Sequence, residues 1–401
     1  MSGTWELLDL VARWIHVIAA TMWVGNSLLF NWLDRSLVKA ARPGQSSKPT
    51  GTIWLLHSGG FYYVEKTLLD GDAMPPRMHW FMWQAYTTWI TGTLLLIIVY
   101  YAGGRAVLED PAVADITHRQ AILVGVGALF LGSIVYGSMQ GAIARRAPAV
   151  SLAVWIIGLT AIAVALTQLL SGRAAFLHAG AMLATIMASN VSATIVPSQK
   201  ELVASVVEGR GTNQVVSDRA KRVSIHNNYF TFPVIVLMLS SHFPSIYSHR
   251  WNWLVLLVLI AAGASVRHVL NIRWTYAAWK PALAATIAAS VIAIWGLLSV
   301  GRTSGETVDV GSAAPATFEE VRHVIDQRCS VCHSERPTDM SFGPAPGGVM
   351  FDTPQQIMTH AARIRERADL SRTMPPGNKT GITDSERALL GRWVAAGATV
   401  E

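Results

Sequence analysis

The chain has 401 residues, 51% of them hydrophobic and only 14% charged, with a mean hydropathy of +0.36. Soluble domains carry about 25% charged residues, so this composition excludes an ordinary soluble enzyme and points to membrane spans. The formal charge of +7 lies in loops between apolar segments, with no basic-aromatic module, which excludes a nucleic-acid binder.

Eight spans are expected, over residues 8–33, 80–101, 119–141, 149–170, 174–196, 229–242, 251–271 and 281–300. The sixth is shorter than the roughly 20 residues a bilayer core demands, unless it starts near Val223. The first does not read as a cleavable signal, because it is too long, lacks a basic start and is followed by further spans. Arg35, Lys39, Arg42, Lys48, Lys66 and Arg77 join spans one and two. Arg145 and Arg146 follow span three, Lys200, Arg210, Arg219, Lys221 and Arg222 follow span five, and Arg273 and Lys280 follow span seven. The alternate loops hold only Arg105, Arg119, Arg173 and Arg250. The richer set is expected in the cytoplasm, which puts both termini on the periplasmic side of a bacterial inner membrane.

Ionisable side chains inside spans are costly and point to function. An outer layer holds His16 and His178, with His242 at the outer end of span six; an inner layer holds His79, His226 and His268. Each histidine alone also suits an interfacial or helix-to-helix hydrogen bond. The inner layer is crowded, with Trp83, Gln84, Asn190, Asn227, Asn228, Tyr229, Arg267 and Asn271, and with His57, Tyr62, Tyr63, Glu65 and Lys66 ahead of span two. Such a set can read a flat polar heterocycle at several edges. His16 and His178, taken to lie at similar depth, could clamp a b-type haem; ordinary packing is the alternative.

Residues 301–316 have linker composition. From Thr317 the chain reads as a small soluble cytochrome. Thr317–Glu320 and Thr383–Glu386 fit the capping box that opens a helix. Between them Cys329-Ser-Val-Cys332-His333 uses the only two cysteines of the chain. That pattern attaches a c-type haem through two thioethers, with His333 as axial ligand. A tetrahedral zinc site needs four N or S ligands, and no second cysteine pair exists; a redox dithiol has no need of the histidine. Met374, held in a Pro-Pro loop, suits the sixth position, where a methionine raises the potential; Met340, Met350 and Met358 are its rivals. The expected fold is all-α, an eight-helix transmembrane bundle (1–300), a linker (301–316) and a periplasmic class I-like cytochrome c domain (317–401).

Taken together, the chain resembles the bacterial membrane-bound urate oxidases (urate hydroxylases), in which an eight-span domain is fused to a periplasmic cytochrome c. The likeness rests on Arg13-Trp-Ile-His16, Leu56-His-Ser-Gly-Gly-Phe-Tyr-Tyr63, His79-Trp-Phe-Met-Trp-Gln-Ala-Tyr86, Gly172-Arg-Ala-Ala-Phe-Leu-His178, Asn190-Val, Ser224-Ile-His-Asn-Asn-Tyr229 and Arg267-His268. Ser58 stands where that family typically has Gly, and Gln84 where it typically has Glu. The resemblance implies oxidation of urate to 5-hydroxyisourate. Electrons would leave through haem c, directly or by way of a haem b, to a soluble cytochrome or terminal oxidase. It places proton handling on His226, His79 or Lys66, and urate among Trp83, Asn227, Asn228, Arg267 and His268. The rival from another class is a non-catalytic haem subunit between a quinol or partner dehydrogenase and a terminal oxidase.

Overall fold

The computed structural model describes residues 3–38, 48–68, 75, 77–102, 105–111, 113–140, 142–210, 213–300, 316–339 and 345–400. Lys39, Arg42, Met340 and all but the last residue of the expected linker lie outside them.

Helix α1 (Gly3–Ser36) leads into strands β1 (Lys48–His57) and β2 (Gly60–Leu68). Next come α2 (Met82–Leu96), continued by a π-helical turn Ile97–Tyr101, then α3 (Arg105–Leu108), α4 (His118–Gly137), α5 (Ala142–Arg146) and α6 (Pro148–Leu169). Helix α7 (Gly172–Asn190) continues through a π-helical turn, Val191–Ile195, into α8 (Val196–Val207). Helices α9 (Gln214–Leu239), α10 (Pro244–Tyr247), α11 (Asn252–Ile272) and α12 (Trp279–Val300) complete this part. The C-terminal part holds α13 (Phe318–Arg328), α14 (Pro354–Thr359), α15 (Ala361–Ile364) and α16 (Asp384–Ala395).

The protein is thus mostly helical. The hairpin β1–β2 departs from the all-α expectation. Its strands pair antiparallel with His57 opposite Gly60, and the two turn residues are left-handed, Ser58 at φ +50° and Gly59 at +76°. Positive φ at both positions is the hairpin turn whose twist matches the strands. Ile53, Trp54, Tyr62, Tyr63 and Val64 are strand formers, and Trp54 meets Tyr63 across the strands, ring centroids 5.0 Å apart. The left-handed turn also explains why Gly suits position 58: a side chain there costs about 1–2 kcal/mol.

Among the described residues, seven helical stretches are long and apolar enough to cross a membrane: Thr4–Ser36, Met82–Tyr101, His118–Gly137, Pro148–Leu169, Gly172–Val207, Asn252–Ile272 and Trp279–Val300. The expected sixth span is not one of them. It lies on α9, whose first half carries Asp218, Arg219, Lys221 and Arg222. At 26 residues α9 is about 39 Å long, but its polar side chains are accommodated by neighbouring helices. It packs on α7 and α11, α7 in turn on α4, and α4 on α6. Helix α7 is the centre: Phe176, His178, Met182 and Leu183 are at most 1% exposed. By contrast Ile287, Val291, Ile292 and Trp295 of α12 are open, as suits a lipid-facing helix.

Close approach of α9 and α11 is set by Gly263. A Cβ there would stand 2.8 Å from the Pro233 nitrogen and 3.0 Å from the Phe232 carbonyl carbon. Any larger residue forces the two helices apart, and overpacking of this kind costs about 1–3 kcal/mol. This contact holds Arg267 and Asn271, one and two turns further along α11, against α9.

Candidate functional site: polar networks around α9 and a cytochrome-like motif

Three successive residues of α9 feed two networks, His226 and Asn227 one and Asn228 the other. Asn227 donates from Nδ2 to the Met187 carbonyl (3.0 Å), and its Oδ1 accepts from Asn190 Nδ2 (2.8 Å). The same Asn190 amide donates to Tyr136 Oη (2.9 Å), and Gln140 Nε2 donates to Asn190 Oδ1 (3.1 Å). Tyr136 Oη lies 2.8 Å from His226 Nδ1. With Asn190 supplying a proton to its oxygen, the tyrosine hydroxyl donates to Nδ1, which leaves the ring proton of neutral His226 on Nε2. Asn228 faces α11 instead. Its Oδ1 accepts from Arg267 Nε (2.9 Å) and from Asn271 Nδ2 (2.7 Å). Arg267 is 3% exposed, and its Nη2 and the Asn271 Oδ1 are buried without a hydrogen-bond partner among the described residues. Tyr229 Oη meets His268 Nδ1 at 2.7 Å, with the rings stacked.

Of the inner-layer candidates, the structure therefore gathers His226, Asn227, Asn228, Arg267 and His268 around one helix. His79 and Trp83 lie elsewhere: His79 is exposed and sits edge-on to Phe81, and Trp83, 64% exposed, sits edge-on to Tyr86. Lys66 is on the hairpin, where its Nζ lies 2.7 Å from Asp34 Oδ1 of α1. Gln84 Oε1 accepts from Asn26 Nδ2 (2.7 Å), so this position links α1 to α2, a bond a carboxylate would accept equally well.

Beside His226 opens a cleft of about 280 Å³, lined also by Gln140, Arg145, Ser151 and Arg222. A neighbouring hollow of about 390 Å³ shares Gln140 and Arg145 and adds Arg219. In sequence the arginines counted only as loop charge, and Tyr136 and Gln140 were passed over. Tyr136 lies in the last turn of α4 and Gln140 in the turn that follows it.

At the other end, His178 is fully buried. Its Nδ1 donates to the Ala174 carbonyl (2.8 Å) and its Nε2 lies 3.0 Å from Tyr101 Oη. A Cβ on Gly125 would stand 2.6 Å from Nε2. His16 packs midway along α2, with Nδ1 3.0 Å from the Thr88 carbonyl and 3.1 Å from Thr91 Oγ1. Both rings spend Nδ1 on a backbone carbonyl, as histidine ligands do. The two rings meet α2 and its π-helical continuation at different residues, His16 at Thr88 and Thr91 and His178 at Tyr101.

In the C-terminal part both expected capping boxes are present. Thr317 caps α13 with Glu320 reciprocating, and Thr383 caps α16 with Glu386 reciprocating. The Thr317 backbone N–H and hydroxyl hold the Glu320 carboxyl below its usual range. Arg328 ties the two helices, donating to Glu386 Oε1 from Nε (3.1 Å) and Nη2 (3.0 Å). Cys329, Cys332 and His333 form one turn after α13, with the His333 amide donating to the Cys329 carbonyl (2.9 Å). The His333 ring donates from Nδ1 to the Val349 carbonyl (3.0 Å), which turns Nε2 into the available lone pair. Burial pushes the Cys329 thiol up to about 12 and raises that of Cys332. A redox dithiol needs a lowered thiol pKa, so this environment opposes that alternative. Met358 packs on the domain core. Met374 is half-buried, with its amide donating to the Arg367 carbonyl (2.9 Å) and its carbonyl accepting from Arg387 Nη1 (2.8 Å). Arg387, 5% exposed, also reaches Ala368 O and so clamps the Pro-Pro loop from within. The turn after that loop, Pro376–Asn378, packs on α3, which Ser171 at the start of α7 braces through bonds to Val107 O and Leu108 O. These donors, His333 Nε2, a pinned methionine and two thiols one turn apart, fit a covalent haem.

Seven candidate spans around a polar, titratable interior are compatible with a multi-pass membrane protein. Within that class the chain belongs to the urate oxidase N-terminal family, whose model matches residues 2–297. No curated protein matches the chain, and no solved structure does. The family points to an oxidoreductase acting on urate.

Proposed function

We propose that the protein oxidises urate in its membrane part. Its electrons go to a haem bound covalently at Cys329 and Cys332, then to a soluble cytochrome or terminal oxidase, not to oxygen at the urate site. The observation that carries this reading is the joining, in one chain, of a urate oxidase N-terminal match over 2–297 with a C-x-x-C-H turn whose histidine is already oriented. In this reading residues 1–300 form an eight-span bundle that includes α9, 301–316 are a linker and 317–401 a cytochrome domain. Both termini face the periplasm of a bacterial inner membrane.

The reaction balances without oxygen: urate monoanion plus water gives 5-hydroxyisourate, one proton and two electrons. When bound, haem c supplies one-electron acceptance. The residues of α9 do the rest. Asn227 and Asn228 are held by Asn190, Arg267 and Asn271, so that His226 stands at a fixed place beside the cleft. Exchange of the ring proton with water in the cleft, lost from Nε2 and gained at Nδ1, gives the tautomer in which Nε2 is a base, and the Tyr136 hydroxyl, turned to accept from Nδ1–H, stabilises it. That exchange suits a residue that takes a proton from water or purine. His79 and Lys66 keep supporting places near the hairpin and α2. No step is routed through a haem between His16 and His178.

Purified protein is expected to consume urate with ferricyanide as sole acceptor, two ferricyanides per urate. Intact haem c without urate consumption would favour the electron-carrier subunit instead. Met374→Ala is expected to remove the sulfur-to-iron charge-transfer band and lower the potential; an unchanged spectrum would assign the sixth position to another side chain. A pyridine haemochrome spectrum counts the haems by type. A b-type component lost in both His16→Ala and His178→Ala would support a haem held between the two histidines, and a spectrum with covalent haem alone would eliminate it.

A further inference from the structure

We propose that the arginine-lined cleft beside His226 is where the substrate anion binds, and that Arg145, Arg219 and Arg222 set the preference for a planar heterocyclic monoanion over its neutral analogues. The inference rests on the urate-oxidation reading and adds to it the residues that recognise the charge. Arg219, Arg222 and His226 follow one another at spacings of three and four on α9, which puts them on one face. Arg145 closes the cleft from α5, and Gln140 joins its two parts. Among the described residues no carboxylate lines either part, so the guanidinium groups share the cleft without a protein anion there. Arg219 Nη2 reaches Gln140 Oε1 at 3.4 Å, and Gln140 passes the contact inward to Asn190. The cleft is thereby joined to the network that holds Asn227 and His226. Helix α6 adds to the field: Pro148 and Ser151 of its first turn line the cleft, which puts the positive end of the helix dipole beside it. A guanidinium presents paired N–H donors in a plane, which match the adjacent oxygen and nitrogen acceptors along a deprotonated purine edge.

The three arginines are exposed, so their replacement leaves the fold intact. The test is equilibrium binding of urate to the oxidised, anaerobic, full-length protein, together with steady-state turnover on ferricyanide and hypoxanthine as the neutral competitor. Arg222→Gln and Arg145→Gln are each expected to weaken urate binding about 10-fold or more, with haem c content unchanged. Arg222→Lys recovers part of the loss. Hypoxanthine binding changes far less, so the anion-to-neutral preference collapses. Wild-type protein that oxidises urate while all three Gln variants bind it normally overturns the cleft and leaves the oxidation reading standing. Equal loss of urate and hypoxanthine binding also overturns the charge-recognition role. Arginine-dependent urate binding in wild-type protein that never oxidises urate supports the cleft and overturns the oxidation reading.

Discussion

Alanine at position 226 should lower urate turnover by about 100-fold or more, the usual contribution of a positioned acid–base group, while haem c is incorporated normally. The histidine is the one titratable side chain that lines the cleft and is also gripped from behind, by Tyr136 at 2.8 Å. Asn227→Ala should do comparable damage by a different route. It strips one Asn190 N–H of its acceptor and leaves the Met187 carbonyl with the Val191 N–H alone, and a buried N–H left unpaired costs about 1–3 kcal/mol. The two variants separate in a binding assay: His226→Ala still binds urate, whereas Asn227→Ala binds it poorly because the cleft wall has moved. If His226→Ala turns over urate at the wild-type rate, the substrate is handled elsewhere, and the outer layer around His178 becomes the next place to look.

Replacing Cys329 and Cys332 together by alanine should abolish covalent haem and, with it, all urate turnover in membranes, while urate still binds. Single replacements leave one thioether position and a weaker haem stain. The argument is local: the two thiols and the oriented His333 ring belong to one turn after α13, and the Arg387 clamp keeps the Met374 loop in place. Full membrane turnover by the double variant would show that electrons bypass this domain.

Much of the fold was legible because bilayer spans declare themselves by length and composition. Residues 251–271 and 281–300 fall within two residues of Asn252–Ile272 and Trp279–Val300. Helix α9 was harder. Its charged first half hides a helix that needs α7 and α11 to satisfy its polar groups, and no hydropathy pattern carries that information. The hairpin was not legible because its aromatics, Trp54 and the consecutive Phe61, Tyr62 and Tyr63, do not alternate with polar residues, as a half-buried strand would. At the site, His226-Asn227-Asn228 stood out as consecutive polar residues in an apolar setting. Their division among three neighbours follows from the 100° step of a helix, yet which neighbour each would meet is a property of packing. Arg145, Arg219 and Arg222 were visible only as topology signals, because sequence cannot bring α5 beside α9. The bonding of His16 and His178, each with Nδ1 at a backbone carbonyl, is likewise a property of packing.

Addition of urate to the oxidised, purified protein under strictly anaerobic conditions tests the central claim most directly, with the haem c absorption bands as the readout. The account predicts that the haem becomes reduced with no added mediator, that one urate delivers electrons to two haems, and that His226→Ala protein stays oxidised. A haem c that remains oxidised without oxygen, in protein that consumes urate and forms peroxide once air is admitted, would contradict it.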